Sequence, residues 1–311
     1  MSTRIQLAES LASARAAGDK TKLAEALHNL GVVAQQAGDS AGAHSLYAES
    51  LLLWRALSER PQIINALNLL GLLGSAQHDY LKAKALFAEA VALAREGGDT
   101  KGLARSLVNL GGLTRDEGDV VTARVLQEES LVLRRALGDR HGIAHSLINL
   151  GSTAYTAGDY AAARTYLGES LMLGRALGDS WLIAGASSDH GLIAYAEGDY
   201  PTARAHLVES LTLAHALESQ WGMAEYLAGL AGVAGAQEHG EAAAHLAAAS
   251  RSLLNFMRRE LGSDWQTLYD KGVTAAQAQL DETQFAAAWS KGKAMRPAEM
   301  IDYATNVTLT E

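Results

Sequence analysis

Cysteine is absent from the 311 residues, and proline occurs only three times. The lack of thiols excludes disulfides, thiolate chemistry and zinc sites built on cysteine. The scarcity of proline is typical of a mostly helical chain, because proline interrupts helices. Acidic residues outnumber basic ones, for a formal net charge of −9. A surface of that sign repels nucleic acid phosphates and anionic lipids, so we expect neither nucleic acid nor a membrane as a direct partner.

Long apolar stretches are also missing. No run of 18 apolar residues occurs in the sequence, and a membrane-spanning helix needs about that length. The first ten residues, MSTRIQLAES, lack the apolar core of a signal peptide. We therefore expect a cytoplasmic protein.

The sequence lacks the signatures of common catalytic sites. A phosphate-binding loop is not found, since Lys291-Gly292-Lys293 has neither the leading glycine nor the hydroxyl residue of that motif. His141 and His145 have a spacing that can bind a metal ion from one helix face. No third ligand accompanies them, so we interpret them as surface histidines. We predict a protein that is not an enzyme and that holds no cofactor or metal.

A 40-residue repeat organises the chain. The pair Leu30-Gly31 returns as Leu70-Gly71, Leu110-Gly111 and Leu150-Gly151. A second pair, Gly38-Asp39, returns as Gly118-Asp119, Gly158-Asp159 and Gly198-Asp199. Self-similarity at a fixed period is typical of a solenoid of stacked units.

Each unit is predicted to contain two helices. In the fourth unit the first helix (helix A) covers about 140–156 and the second (helix B) about 160–176, because apolar residues recur there at helical spacing. Gly158 is suited to the left-handed position that ends helix A, and Asp159 can cap helix B. The glycine of the Gly31 column lies in mid-helix, where it costs about 1 kcal/mol against alanine. This repeated cost predicts close contact between helices A and B.

These columns resemble the tetratricopeptide-repeat (TPR) family. The first full unit matches the family pattern at Leu27, Leu30, Gly31, Ala43, Tyr47 and Ser50. In the third unit Gln127 replaces the large apolar residue, and the fifth unit departs from the pattern at Ser187 and His190. The resemblance implies an all-α, right-handed superhelical solenoid of antiparallel helix pairs, with about six 40-residue repeats and a C-terminal helical cap.

The predicted domain organisation follows the period. The solenoid covers 1–255, the cap 256–305 and a tail 306–311. Within the solenoid we expect a half repeat at 3–16 and repeats that start near 20, 60, 100, 140, 180 and 220. The opening half repeat is either a capping helix or the sign of a fragment cut from a longer protein, and we favour the fragment.

The C-terminal segment resembles a second group of proteins. Its pattern of Phe285, Trp289, Gly292, Met295 and Pro297 is similar to the end of TPR sensor arms in MalT-like and LuxR-type bacterial signalling ATPases. The resemblance implies a ligand- or protein-sensing arm, with the nucleotide-binding module of its parent protein as a partner. The alternative is a free-standing TPR scaffold or peptide-binding adaptor.

The TPR resemblance also implies where a ligand binds. In that family the A helices line a concave groove that takes a protein or peptide, and asparagines there can hydrogen-bond a peptide backbone. The matching positions here are Asn65, Asn68, Arg105, Asn109, Arg115, His145, Asn149, Tyr155 and Tyr195. Leu69 interrupts the asparagine column, and no lysine matches the family's clamp for a terminal carboxylate. The alternative is an ordinary polar surface.

Overall fold

The structure is a computed structural model that describes residues 2–257 and 259–306. Its helices lie where the 40-residue repeat predicts them. Within these residues every regular element is an α-helix. The chain divides into two compact units, between Ala157 and Gly158. The division falls inside the fourth predicted repeat, at the turn between its two helices.

The first unit contains the half repeat, three complete helix pairs and one further A helix. Its helices are α1 (Ser2–Ala17), α2 (Lys20–Gln36), α3 (Ser40–Leu57), α4 (Arg60–Ala76), α5 (Tyr80–Gly97), α6 (Thr100–Asp116), α7 (Val120–Ala136) and α8 (Arg140–Thr156). The A helices are α2, α4, α6 and α8. Because short turns join the helices, neighbours run antiparallel.

The second unit contains the remaining repeats and the C-terminal helices. Its helices are α9 (Tyr160–Leu177), α10 (Ser180–Ala196), α11 (Tyr200–Ala216), α12 (Gln220–Ala236), α13 (Gly240–Met257), α14 (Ser263–Gln279), α15 (Glu282–Ala294) and α16 (Pro297–Asn306). The last three lie in the predicted C-terminal cap, 256–305, which α16 exceeds by one residue. Apart from Asn306, the predicted tail lies outside the described residues. No described helix has the length and hydropathy to cross a membrane.

The turns between helices A and B follow the predicted chemistry. Gly118 ends α6 with a left-handed φ of 92°. The Asp119 carboxylate then accepts a hydrogen bond from the backbone N–H of Thr122 at 3.0 Å, which caps α7. Gly158 likewise has a φ of 76°. His78 holds the same left-handed position without being glycine, at a cost of about 1 kcal/mol.

The mid-helix glycines let helix A approach a large side chain of helix B. A Cβ added to Gly31 would lie 2.5 Å from the Tyr47 ring. One added to Gly71 would overlap the Phe87 ring. This confirms the predicted close contact between the two helices of a pair.

A recurring serine joins the same two helices by a hydrogen bond. The Ser50 hydroxyl of α3 donates to the Ala24 carbonyl of α2 at 2.9 Å, and Ser130 donates to the Ala104 carbonyl at 2.7 Å. Each serine is thus a buried polar link that fixes helix B against helix A.

A glutamate recurs at one position of helix B, as in Glu89 and Glu129, and forms ion pairs between successive B helices. Arg55 donates to Glu89 at 2.6 Å and Arg95 to Glu129 at 2.7 Å. Both members of each pair are substantially exposed, so each pair contributes little, about 0–1 kcal/mol.

The fifth repeat keeps its packing with polar partners. The Ser187 hydroxyl donates to Glu209 at 2.7 Å. The His190 ring stacks on His206 with centroids 5.3 Å apart. Burial, helped by the charges of His206 and Arg164, lowers the pKa of His190 to about 4.

The C-terminal helices cover the last repeat through close glycine contacts. Added Cβ atoms on Gly229, Gly232 and Gly235 of α12 would each lie 2.9 Å from atoms of α14, which therefore runs along α12 in the same direction. Gly292 of α15 packs directly on the backbone carbonyl of His245 in α13. The glycines of α12 thus form a surface on which the parallel helix α14 packs closely.

A carboxyl group is partly buried on α12, beside the glycines that pack against α14. Glu225 of α12 occupies the same repeat column as Asn65, Arg105 and His145. Burial raises its pKa to about 8, against the opposing charge of Arg259 and with the like charge of Asp189. Arg259 in turn stacks over the Trp221 ring, with its Cζ 3.8 Å from the ring centroid. The carboxyl is therefore mostly protonated at neutral pH.

The glycine contact predicts a graded response in one repeat column. Gly71→Ala should lower the free energy of unfolding by about 1–3 kcal/mol, because the rigid Phe87 ring cannot yield. Gly111→Ala should cost less, since its main neighbour is the flexible Gln127 side chain. The control is Gly168→Ala in mid-helix α9, which meets nothing within 4 Å and should stabilise by up to about 1 kcal/mol. Urea denaturation measures all three; equal losses at Gly71 and Gly168 would contradict the contact.

Glu225 predicts a loss of stability as the pH rises. Its carboxyl stays protonated in the folded state up to about pH 8, whereas the unfolded chain releases that proton near pH 4.5. The free energy of unfolding should therefore fall with pH through this window. Above about pH 6.5 His190 is neutral in both the folded and the unfolded chain, so its lowered pKa no longer changes the free energy of unfolding with pH. Between about pH 6.5 and 8 the wild type should lose about 1.5 kcal/mol of stability that Glu225→Gln does not lose; parallel wild-type and variant curves would contradict the assignment.

Candidate functional site

An open pocket of 310 Å³ lies in the first unit, among its A helices. It is lined by Asn65, Asn68, Leu69 and Leu72 of α4, Arg105 and Asn109 of α6, Arg134 of α7 and His145 of α8. The pocket thus brings together five of the nine residues that were predicted to bind a ligand. No Asp or Glu is among the residues that line it.

A hydrogen-bonded chain of amides joins two of the helices that line the pocket. Asn109 donates from Nδ2 to the Oδ1 of Asn68 at 2.9 Å. Asn68 donates to the Ile64 carbonyl and to the Ser106 hydroxyl, both at 2.8 Å. With both amide hydrogens used and only 2% of its surface exposed, Asn68 has a structural role: it holds α4 against α6.

Two other predicted residues keep groups available to a ligand. Arg105 is exposed and Asn65 is half-buried. Neither side chain has a hydrogen bond or ion pair with any described residue of the chain. The protein around Arg105 partly desolvates it and lowers its pKa, opposed by the charge of Asp99. Even so, an arginine remains charged at neutral pH.

The electrostatics of the pocket are positive. Desolvation, followed by the charge of Arg134, lowers the pKa of His145 to about 4. Desolvation and then the charge of Arg105 lower the pKa of His28, which lies on α2 outside the lining. Both imidazoles are therefore neutral near pH 7, while the two guanidinium groups keep their charge.

The remaining predicted residues do not line the pocket. Arg115 is half-buried and pairs with its neighbour Asp116, from Nη2 at 2.8 Å. Asn149 donates to the backbone carbonyl of His145 at 2.9 Å, as an asparagine does when its amide is turned toward its own helix. Tyr155 is half-buried near the end of α8.

Tyr195 belongs to the second unit. Its ring lies 5.6 Å from that of Tyr200, and the Nζ of Lys271 on α14 is 5.3 Å from its centroid. The α14 helix therefore reaches this predicted ligand residue. Its role as a binding residue stays a prediction.

Arg134 is the charged pocket residue that sequence reasoning missed, beside the apolar Leu69 and Leu72. It lies on a B helix, whereas the ligand columns were assigned to A helices. Its signal was a charge at a core position, since the equivalent residues of other repeats are Trp54, Ala94, Gly174, Ala214 and Leu254.

In the described part of the chain no three His, Asp or Glu side chains are grouped so that they could hold a metal ion. Of the two histidines that were interpreted as surface residues, His141 is exposed and His145 is partly buried.

Comparisons with known proteins agree with the repeat columns. The model of the tetratricopeptide-repeat family matches residues 22–96 and 102–174. No curated protein sequence matches the chain.

Solved structures show the same fold at low sequence identity. The apo form of RapI is 13% identical with a TM-score of 0.63, over 88% of this chain and 92% of that one. The Rap conjugation gene regulator of plasmid pLS20, in complex with the Phr* peptide, is 15% identical with a TM-score of 0.56, over 83% and 63%. The Pyrococcus horikoshii signal transduction ATPase with a tetratricopeptide-repeat sensor is 13% identical with a TM-score of 0.54, over 88% and 41%.

The family match and the observed helix pairs lead to one conclusion. Glycine-mediated A–B contacts recur along a 40-residue period, and the family model spans the repeats where that period is most regular. Residues 22–96 and 102–174 are tetratricopeptide repeats, and the helix pairs of the later repeats keep the same architecture.

Proposed function

We propose that the pocket of the first unit binds a segment of a protein or peptide, and that the chain is a recognition module without enzymatic activity. The observation that carries the proposal is Arg105, a charged side chain that projects into a pocket without an ion-pair partner among the described residues. Arginine is favoured at binding hot spots, since it combines contact area with directed hydrogen bonds.

The neighbouring amides suit an extended peptide backbone. Asn65 has no internal hydrogen bond among the described residues, and its amide can donate to a carbonyl and accept from an N–H. Leu69 and Leu72 add an apolar wall to the same pocket. A ligand segment can therefore pair its backbone with the amide and place an apolar side chain on the wall.

A solved structure supports this use of the fold. The plasmid pLS20 regulator was determined in complex with the Phr* peptide. At 15% identity the likeness extends to the fold alone, so it supports a peptide as the class of ligand and does not indicate a sequence.

The finer proposal is a sensor arm of a cytoplasmic bacterial signalling ATPase. Its support is the C-terminal pattern around Trp289 and Gly292, together with the fold shared with the signal transduction ATPase of Pyrococcus horikoshii. In this proposal ligand binding releases a nucleotide-binding module of the parent protein from inhibition. The competing proposal is a free-standing adaptor. A nucleotide-binding module encoded in the same reading frame upstream would favour the sensor arm, and a stop codon there would favour the adaptor.

Charge reversal tests the pocket. Peptides selected from a random display library on the wild-type chain should bind Arg105→Glu at least about tenfold more weakly, because the reversed charge repels what the arginine attracts. Fluorescence anisotropy measures the dissociation constants. Lys101→Glu is the matched control, since Lys101 is an exposed cation on the same helix outside the pocket. Undiminished binding by Arg105→Glu would place the ligand elsewhere.

A further inference from the structure

Arg134 is a charged residue at a repeat position that belongs to the core. Its equivalents in the other repeats are buried, among them Trp54, Ala94 and Leu254. Arg134 itself is only 7% exposed. A buried charge requires compensation from hydrogen bonds or opposite charge.

The guanidinium passes from helix B to the pocket beneath the start of α8. Its Nη1 donates to the backbone carbonyl of Gly142. A Cβ added to Gly142 would lie 2.8 Å from the Arg134 Cδ, so the glycine leaves space for the arginine stem. Arg134 then ends among the residues that line the pocket.

The compensation within the chain is incomplete. Burial lowers the pKa of the Arg134 guanidinium, the charge of Arg105 lowers it further, and the charge of Asp139 only partly opposes this. Among the described residues no carboxylate lies within ion-pair distance of either Arg105 or Arg134. Two guanidinium groups thus share one pocket that has no acidic lining residue.

We infer that Arg134 and Arg105 form a carboxylate-binding subsite, in which the buried arginine is the floor and the exposed arginine the rim. The inference rests on the proposed peptide ligand and specifies its chemistry: the bound segment presents an Asp or Glu side chain, or a C-terminal carboxylate. A guanidinium pairs with a carboxylate through two parallel hydrogen bonds. The ligand carboxylate would also accept hydrogen bonds from the guanidinium N–H groups of Arg134 that do not bond to the Gly142 carbonyl.

A peptide carboxylate fits better than the phosphates of a polyanion. The pocket volume of 310 Å³ admits a few side chains. The formal net charge of −9 disfavours a long polyanion and leaves a local positive pocket selective for a single acidic group.

The test variant is Arg134→Met, which keeps an unbranched stem in the core and removes the charge. Arg124→Met is the control, because it makes the same change on the same helix outside the pocket. The methionine variant should melt no earlier than the wild type, since it removes a buried charge. If Arg134→Met does not fold, Arg134→Lys replaces it: lysine keeps the charge but cannot form the two parallel hydrogen bonds, so carboxylate binding should still be weaker than in the wild type.

One arm uses peptides selected on the wild-type chain. These should contain an acidic residue or depend on a free C-terminus, and amidation of that carboxylate should weaken wild-type binding at least about tenfold. Against Arg134→Met the same amidation should have less than about a threefold effect, while Arg124→Met behaves as wild type. Selected peptides that bind Arg134→Met as well as wild type would overturn the subsite but leave peptide recognition intact.

A second arm uses citrate and needs no peptide. Citrate should shift the arginine Nε–H resonances of wild-type protein and of Arg124→Met, with a dissociation constant at least about tenfold higher for Arg134→Met; sulfate should bind more weakly. A citrate response without any selected peptide would support the subsite and count against peptide recognition. A citrate response that is absent, or that is equal in Arg134→Met, would overturn the subsite.

Discussion

The close contact of helices A and B at the mid-helix glycine is the constraint on which each repeat depends. In the first two full repeats an aromatic ring of helix B occupies the space that a side chain at Gly31 or Gly71 would need. The ring can be large only because the glycine is small, so the two columns are coupled. Once this contact fixes the pair, the Ser50-type hydrogen bond sets helix B along helix A. Exposed arginine–glutamate pairs between successive B helices then add little energy.

Constant packing columns leave the remaining A-helix positions free to vary. Asn65, Arg105, His145 and Glu225 share one column but differ in charge and size. In the first unit this variety produces a positive pocket. In the second unit the same column carries a partly buried carboxyl, and glycines at 229, 232 and 235 accept α14 instead. The same repeat geometry therefore forms a pocket in one unit and a packing surface for the chain's own helix α14 in the other, according to the side chains that each repeat supplies.

The helices, their turns and their A–B contact could be predicted from the sequence, because each recurs with the period and has a local cause such as Gly118 or Asp119. The site was predicted only in part. Asn65 and Arg105, which were predicted to bind a ligand, line the pocket, but Asn68 uses its hydrogen bonds internally. Periodicity indicates which face of a helix a residue lies on, but it does not indicate which group the side-chain amide will hydrogen-bond. Arg134 was missed for a related reason, since its reach to the pocket depends on the space beside Gly142, which no column reveals.

The energetics of Arg134 argue that its charge is there for function. An apolar residue satisfies this column in the other repeats, and replacing a buried charge with a well-packed apolar side chain is often neutral or stabilising. The Gly142 carbonyl satisfies part of the guanidinium and leaves its charge facing Arg105, so the fold gains no evident stability from it. Burial within the pocket also reduces screening by water and salt, which strengthens the attraction for a ligand of opposite charge. The feature that makes Arg134 costly in the isolated chain is thus the one that favours an acidic ligand.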